Sequence, residues 1–243
     1  MAQGGPGYRV SSFSPRWEAI LKTADTTRTR VPQAKVDYAE ASPAYLERFF
    51  RGRHSDILAT CQDLVIRYDF ATHRKLVDLC GRSGGVAIAL ARVCPGLHAR
   101  VIGLTSATPV TLRIVDETDL ARRIDVVSGI VVAGQLTGNY DVAVMRSFIQ
   151  VLSPEHAGQA TNSVGRVIGP GGKVYVIWAI LDNSHITPAE TAVLNFNFLN
   201  SNDYAQAYTE QEYDDWLFVL GFGDIQHDVQ ANGISVMISK NPE

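Results

Sequence analysis

From Lys75 onward the sequence alternates between short apolar runs and helical segments, and this alternation constrains the fold more than any other feature. The apolar runs are KLVDL, ARVIGL, IDVVSGIVV, YDVAVMRSF and KVYVIWAIL, and GDIQHDVQ and GISVMISK follow as two further strands. Strands that alternate with helices build a parallel sheet with helices on both faces. The sequence therefore predicts an α/β, doubly wound, mostly parallel seven-stranded sheet, with a late antiparallel pair.

The first 70 residues have a different pattern, which predicts a wholly helical segment. Residues 1–14 are rich in Gly, Ser and Pro, which favours a flexible arm. SPRWEAILKTA and SPAYLERFFRG both begin with a Ser-Pro pair typical of a helix start, and HSDILATCQDLVIRYDF spaces apolar residues three and four apart. We therefore expect an arm over residues 1–14, a helical cap and dimerisation segment over 15–72, and an α/β domain over 73–243.

Composition argues against several classes of function. The net charge is −3 and the basic residues are scattered, so we expect no nucleic-acid partner. No apolar run reaches the roughly 18 residues that a membrane span needs, and the N-terminus lacks signal-peptide features, which predicts a cytoplasmic protein without a membrane partner. The cysteines show no CxxC spacing and the histidines no HxxxH or HxH pair, so no metal is predicted.

The segment VDLCGRSGG, residues 77–85, matches two different motifs. GRSGG fits the G-x-S-x-G nucleophile elbow of α/β-hydrolases, with Ser83 as nucleophile and Asp182 and His227 following in triad order. A hydrolase elbow comes after several strands, whereas this segment follows the first one, so we reject the hydrolase interpretation. A loop after the first strand of a doubly wound sheet is instead a place where ligands bind.

From about Trp17 to its end the chain resembles the class I S-adenosylmethionine-dependent O-methyltransferases of natural-product biosynthesis. The segments that fall in the family's order and spacing are SPRWEAIL, HRKLVDLCGRSGGVAIALARVCPG, RIDVVSGIVV, NYDVAVMRSFIQVLSPEHA, IGPGGKVYVIWAILD, LNFNFLN and YTEQEYDDWLFVLGF. The resemblance implies a Rossmann-like methyltransferase fold, a small-molecule substrate and a homodimer. Because little precedes SPRWEAIL, it also implies a short, divergent member without the family's N-terminal winged-helix domain.

The family's cofactor loop is only partly present. Family members carry an acidic residue followed by G-x-G-x-G, whose glycines let backbone N–H groups approach the cofactor closely. The resemblance places Asp78 at the acidic position and Gly81, Arg82 and Gly84 in the loop, but Cys80 and Arg82 replace the first two glycines. The Arg82 side chain either brings a cation towards the cofactor or turns outward to solvent.

Two further cofactor anchors of the family are missing. Gly103 stands where the family has a carboxylate that holds the ribose hydroxyls, and Ile130 follows Gly129 where the family has an aspartate near adenine. Hydrogen bonds to charged groups are worth roughly 1.5–3 kcal/mol each, so two or three losses weaken binding on the order of a thousandfold. We therefore expect that no cofactor is bound.

The acid–base residues of the family are also replaced. Gln150 occupies the position of the general-base histidine, and an amide cannot take a hydroxyl proton near neutral pH. The glutamate that orients this base falls at Trp178, and a later glutamate falls near Ala207. Together with the cofactor loop, this pattern predicts that methyl transfer has been lost.

The remaining pocket is predicted to be an aromatic box with a few amides. Its expected lining residues are Phe148, Gln150, Trp178, Asn195, Asn197, Phe198 and Tyr204. Such a pocket suits ring closure of a flexible polyketide, with Gln150 or Arg146 polarising a substrate carbonyl. We therefore predict a cyclase or pericyclase-like enzyme of natural-product biosynthesis. Two alternatives stay open: a genuine O-methyltransferase that uses S-adenosylmethionine and an already ionised acceptor, and a non-catalytic dimerisation partner.

Overall fold

The structure is a computed structural model that describes residues 17, 19–134, 136–230 and 233–242. The predicted flexible arm lies outside these residues. Helix α1 spans Thr23–Thr29 and helix α2 spans Pro43–Arg67. The Ser42 side chain caps α2 by accepting a hydrogen bond from the Tyr45 backbone N–H at 3.2 Å, as the Ser-Pro pair predicts.

Two details of this N-terminal segment differ from the sequence-based expectation. SPAYLERFFRG and HSDILATCQDLVIRYDF belong to one helix of 25 residues. Residues 31–42 form no helix, so the prediction of a wholly helical segment is wrong there. The reason is local: α1 ends at Arg30, whose φ of 58° is left-handed, and Pro32 disfavours helical backbone at the residue before it.

The seven-stranded sheet confirms the predicted doubly wound architecture. Its strands are β1 (Lys75–Leu79), β2 (His98–Gly103), β3 (Ile124–Ser128), β4 (Tyr140–Arg146), β5 (Ile168–Trp178), β8 (Gly223–Val229) and β9 (Ser235–Lys240). They are ordered β3-β2-β1-β4-β5-β9-β8, with β1 to β5 parallel and β9 antiparallel to both of its neighbours. Two short strands, β6 (Ile180–Leu181) and β7 (Tyr208–Thr209), pair separately.

Helices cover both faces of the sheet. They are α3 (Gly85–Val93), α4 (Thr108–Asp116), α5 (Pro154–Gly165), α6 (Ala189–Ser201) and α7 (Glu210–Phe218). A capping box starts α7, because the Thr209 side chain accepts from the Glu212 backbone N–H while the Glu212 carboxylate accepts from that of Thr209. Within the described part of the chain, no helix is both long and apolar enough to cross a membrane.

Alternating side chains of β4 divide the core into two layers. Val142 and Val144 pack with α2, α3 and α4, whereas Ala143 and Met145 pack with α5 and α7. The strand order reverses between β1 and β4, since β1 connects towards β2 on one side and β4 towards β5 on the other. In open α/β sheets ligands bind at the carboxyl ends of the strands beside such a reversal.

Candidate functional site

Backbone strain is concentrated at the carboxyl ends of three neighbouring strands. Among the described residues seven non-glycine residues have positive φ, and four of them lie here: Cys80 (56°) and Arg82 (49°) after β1, Ser147 (52°) after β4, and Trp178 (127°) at the end of β5. Such conformations cost on the order of 1–3 kcal/mol each and cluster at functional sites. We call this edge, formed by residues 78–84, 146–150 and 178, the crevice.

The loop after β1 keeps the backbone of a glycine loop without all of its glycines. Cys80, Arg82 and Gly84 (φ 67°) are left-handed at alternating positions. Between them, Gly81 packs so closely that an added Cβ would lie 2.5 Å from Asp78 Oδ2. Helix α3 then begins after Gly84 without a side-chain cap. The loop therefore retains the shape that allows a ligand to approach its backbone.

The Arg82 side chain lies across the crevice. Its Nη2 donates to the Ser147 carbonyl oxygen at 2.9 Å, and its guanidinium carbon is 5.7 Å from the centre of the Phe49 ring on α2. The Thr111 hydroxyl bonds to the carbonyl of Arg82 and fixes the loop from the opposite side. The sequence leaves two orientations open for the Arg82 side chain, and in the structure this side chain points into the crevice and not outward to solvent.

Asp78 is a fully buried acid at the base of the crevice. Burial raises the pKa of Asp78 to about 7, although the Ala87 backbone N–H and the guanidinium groups of Arg146 and Arg82 oppose the shift. Neither carboxylate oxygen makes a hydrogen bond of ordinary geometry with a described residue. Buried polar groups are nearly always bonded, so the unpaired carboxyl group marks Asp78 as a candidate for contact with a ligand.

Arg146 ends β4 and is the second buried charge of the crevice, with 7% of its surface exposed. Its guanidinium carbon lies 4.9 Å from the centre of the Trp178 ring, and its Nε has no hydrogen-bond partner in the described chain. Burial lowers the pKa of Arg146 to about 10, with Arg82 adding to the effect, so the guanidinium remains charged at neutral pH. A cation stacked on an indole is thus placed beside an unpaired acid.

Gln150, at the family's histidine position, is held inside the protein. Its Nε2 donates to the Ala179 carbonyl at 3.2 Å and to the Tyr213 hydroxyl at 3.3 Å, and 1% of the residue is exposed. The Oε1 atom is buried without a partner among the described residues. The donor that we expect to polarise a substrate carbonyl is therefore already engaged.

The predicted aromatic box is only partly assembled. Trp178 and Phe198 pack into one small apolar cluster with Leu194. Phe148 instead packs into the core layer of α5 and α7, and Tyr204 is 69% exposed. These side chains do not form one continuous wall, and their assignment to substrate remains a prediction.

The two asparagines of the predicted box have different surroundings. Asn195 Oδ1 accepts a hydrogen bond from the Ala207 backbone N–H at 2.7 Å. Asn197 Oδ1 is buried and has no partner in the described chain. Asn195 therefore fixes the segment that leads into β7, while a role for Asn197 towards substrate remains a prediction.

The rejected hydrolase triad is not assembled. Ser83 is fully buried, and its hydroxyl lies 2.9 Å from Nδ1 of His54 on α2. His227 contacts Asp214 at 3.0 Å, and Asp182 accepts a hydrogen bond from the Ser184 hydroxyl at 2.6 Å. Ser83 therefore secures the loop against α2 and is inaccessible as a nucleophile.

Sequence reasoning missed two pairs at this edge. The Ser83–His54 pair joins residues 29 positions apart, and only packing of α2 on the loop brings them together. The Arg146–Trp178 pair had a signal, because both residues end neighbouring parallel strands. The carboxyl ends of such strands lie at one edge, so the two side chains were bound to be close.

The fold and the crevice define a methyltransferase-type α/β protein, and comparison with known proteins identifies its family. The sequence profile of the O-methyltransferase domain matches residues 29–223. The chain therefore belongs to the O-methyltransferase domain family.

Two curated relatives are similar over most of the chain. The 3-hydroxy-5-methyl-1-naphthoate 3-O-methyltransferase of Streptomyces sahachiroi is 22% identical over 230 residues, which cover 92% of this chain and 65% of that protein. The tetracenomycin polyketide synthesis 8-O-methyl transferase TcmO of Streptomyces glaucescens is 20% identical over 229 residues, which cover 94% and 67%. The chain thus spans about two thirds of the length of these curated relatives.

Solved structures confirm the Rossmann-like methyltransferase fold. PigF with SAH superposes with a TM-score of 0.80 at 23% identity, covering 93% of this chain and 70% of that one. Human N-acetylserotonin methyltransferase in complex with SAM gives a TM-score of 0.77 at 18% identity, covering 99% and 69%. The expected absence of a winged-helix domain remains a prediction.

Family membership corrects two predictions. The prediction that methyl transfer has been lost in favour of cyclase or pericyclase chemistry is wrong, because the matched family is one of O-methyltransferases. The prediction that no cofactor is bound is wrong for the same reason, since methyl transfer by this family uses S-adenosylmethionine. Both errors came from reading residue types alone, at the cofactor loop and anchors for the first and at Gln150 and Trp178 for the second. At Cys80 and Arg82 the backbone is nevertheless left-handed, a conformation that glycine adopts readily.

Proposed function

We propose that the protein is an S-adenosylmethionine-dependent O-methyltransferase that methylates a hydroxyl group of a small aromatic molecule. The family match over residues 29–223 carries the proposal. The two curated relatives are named for a hydroxynaphthoate and for tetracenomycin polyketide synthesis, which supports an aromatic, polyketide-type acceptor. The neighbours named with SAH and SAM support the cofactor.

The crevice fits this cofactor at the loop after β1. The backbone of residues 80–84 would hold it, because Gly81 leaves no side chain in the way and the left-handed positions keep the loop compact. Asp78 supplies a buried acid with unpaired oxygens for its cationic end. When bound, S-adenosylmethionine supplies an activated methyl group on a positively charged sulfur.

The wall at the end of β2 lacks an anchor but has room for one. An added Cβ at Gly103 would meet only the Thr108 methyl group, at 3.8 Å. The carboxylate that the family resemblance implies here is absent, so we expect wild-type affinity to be weak. Restoring it offers a direct test, because a new carboxylate can accept charge-assisted hydrogen bonds without disturbing the packing.

The acceptor must arrive with its oxygen already ionised, or ionise without a protein base. Gln150 cannot accept a proton near neutral pH, and its amide is engaged with Ala179 and Tyr213. The protein therefore contributes by orienting the acceptor and by excluding water. Holding two reactants in the reactive geometry lowers the barrier of the reaction without any proton transfer to the protein. Phenols and naphthols of low pKa should be the best acceptors.

Titration calorimetry with S-adenosylhomocysteine tests the cofactor assignment. We expect Gly103→Asp to bind about tenfold or more tightly than wild type, the effect of one charged hydrogen bond. Gly223→Asp is the matched control, because Gly223 also has open space around it and lies at the start of β8, away from the crevice. Absence of binding by both wild type and Gly103→Asp would reject the cofactor.

The pH dependence of methyl transfer tests the missing base. With naphthols of different acidity, the rate should rise through the pKa of each acceptor. A rise near pH 6–7 that is the same for every acceptor would instead reveal a titrating protein base. Wild-type protein that binds the cofactor but methylates none of these acceptors would contradict the proposed activity.

We also propose that the protein is a homodimer and that it is cytoplasmic. Helix α6 packs against α1 of the helical cap and leaves Val193, Phe196 and Leu199 exposed, which supports a contact between copies on this side of the protein. Sedimentation of wild type and of Phe196→Ser tests it, because loss of this ring should raise the monomer fraction. A monomer at high concentration for wild type would contradict the dimer.

A further inference from the structure

The Arg146 side chain is a buried cation for which the described residues supply no salt bridge, although Asp78 and Asp56 add negative charge around it. Among the described residues it makes no hydrogen bond and no salt bridge of ordinary geometry, and its contact is with the Trp178 ring. Burying an unpaired charge is costly, and a chain that keeps one gains no stability from it. The charge is therefore available to a ligand that enters the crevice.

Stacking leaves the binding edge of this guanidinium open. Its carbon lies 4.9 Å from the centre of the Trp178 ring, the distance of a cation–π contact, and such a contact does not use the N–H donors of the guanidinium. Nε is buried without a partner in the described chain, and the residue as a whole keeps 7% of its surface exposed. A planar fork of this kind matches a carboxylate in bidentate geometry.

The surroundings of the pair indicate the rest of the ligand. Trp178 is held at a φ of 127°, a conformation that a bulky residue adopts only under constraint, and it packs with Phe198 and Leu194 of α6. This apolar cluster lies at the end of β5, whereas the loop that approaches the cofactor lies after β1. An anion seated on Arg146 thus has an apolar, aromatic surface beside it.

We propose that Arg146 and Trp178 form a carboxylate-binding site that selects aromatic acceptors bearing a carboxylate. The inference rests on the proposed function, because it names the acceptor class of that same crevice. The charged groups that face Arg146 are Asp78, Asp56 and Arg82. Of these, Arg82 adds positive charge, whereas Asp78 and Asp56 add negative charge. Burial raises the pKa of Asp78 to about 7, which weakens its negative charge near neutral pH.

Direct binding without cofactor tests this site. Wild-type protein is titrated calorimetrically with 3-hydroxy-2-naphthoate and with 2-naphthol, which share a ring system and differ in the carboxylate. We expect the naphthoate to bind at least tenfold more tightly. In Arg146→Gln the naphthoate should lose about 10- to 100-fold in affinity, while 2-naphthol changes by less than about twofold. Arg146→Lys, which keeps the charge but loses the fork, should fall between.

Controls separate recognition from structure. Arg166→Gln removes an exposed arginine at the end of α5 and should bind both ligands as wild type does. Thermal unfolding of Arg146→Gln should show no loss of stability, because a buried unpaired charge has been removed. Equal weakening of naphthoate and naphthol, or no change in either, overturns the proposal.

The cofactor's own amino-acid carboxylate is the other possible source of the anion. S-adenosylhomocysteine carries this group and 5′-methylthioadenosine lacks it. If Arg146→Gln weakens only S-adenosylhomocysteine and leaves the naphthoate unchanged, the guanidinium belongs to the cofactor and the proposal is overturned. If the naphthoate preference depends on Arg146 but wild type neither binds S-adenosylhomocysteine nor methylates, the carboxylate site stands and the proposed function fails.

Discussion

Charged side chains at the two edges of the parallel sheet differ in their hydrogen bonding. At the amino edge, Asp141 at the start of β4 accepts hydrogen bonds from the backbone N–H groups of Arg74 and Lys75 at 2.6 and 3.0 Å. Arg123, before β3, donates to four backbone carbonyls of the α3–β2 connection. At the carboxyl edge, Asp78 and Arg146 are more deeply buried yet lack such partners within the described chain.

This difference separates the part of the chain that stabilises the fold from the part that binds. Charges at the amino edge satisfy backbone groups that the sheet leaves open, so they contribute to folding. Charges and left-handed residues at the carboxyl edge cost stability. Replacing a charged side chain at the amino edge should therefore lower stability, whereas replacing one at the carboxyl edge should not.

Gly81→Ala should destabilise the protein more than the other substitutions at the carboxyl edge. The new Cβ would lie 2.5 Å from Asp78 Oδ2 and 2.6 Å from Val101 Cγ1, so the loop or the acid must move. Overpacking of this kind should lower the free energy of unfolding by about 3 kcal/mol. Urea denaturation checks it, with Gly103→Ala as control, because a Cβ there meets only Thr108 at 3.8 Å. Equal stability of the two variants would contradict the close approach at Gly81.

Asp78→Asn should change how the stability of the protein depends on pH. Burial raises the folded-state pKa of Asp78 to about 7, whereas the unfolded value is about 3.9. Between these values the folded protein holds a proton that the unfolded chain has released, so wild type loses stability as the pH rises. From pH 5 to pH 8 the Asn variant should gain about 2 to 3 kcal/mol relative to wild type. A constant difference in urea denaturation across that range would exclude the raised pKa.

At the amino edge, Arg123→Met should destabilise without touching the crevice. Four backbone carbonyls lose a charged donor while the aliphatic packing is largely kept, so unfolding should become easier by about 2 kcal/mol. Arg122→Met is the neighbouring control, because Arg122 is exposed. Affinity for S-adenosylhomocysteine should stay at the wild-type value in both variants. A loss of cofactor affinity in Arg123→Met would show that the two edges are coupled.

Much of this fold follows from local sequence patterns. The seven strands and the Ser-Pro start of α2 each depend on neighbouring residues, so periodicity and capping chemistry predict them. Residues 31–42 were missed, because the effect of Pro32 on the preceding helix end was not weighed. The relation of β9 to β5 follows from pairing across the chain, which the strand pattern only suggests.

The candidate site was harder to predict because it depends on backbone conformation. Residue types at Cys80 and Arg82 indicate a damaged loop, yet both residues have the left-handed φ values that glycine adopts readily. The strain at Ser147 and Trp178 has no local signal, since it arises where strand ends meet neighbouring strands and helices. A motif comparison considers only residue types. The crevice, however, is formed in part by backbone whose conformation is fixed by contacts with other parts of the chain.

Arg82 provides the smallest and most specific test of that strain. Arg82→Gly and Arg82→Ala both remove the bond to the Ser147 carbonyl and the contact with Phe49, so they differ only in tolerance of a φ of 49°. Glycine normally destabilises an ordered segment relative to alanine, but at a left-handed position the order reverses. The free energy of unfolding of Arg82→Gly should therefore be about 1 kcal/mol higher than that of Arg82→Ala. If alanine is the more stable, the loop is not left-handed at this residue, and the strain assigned to the carboxyl edge is overstated.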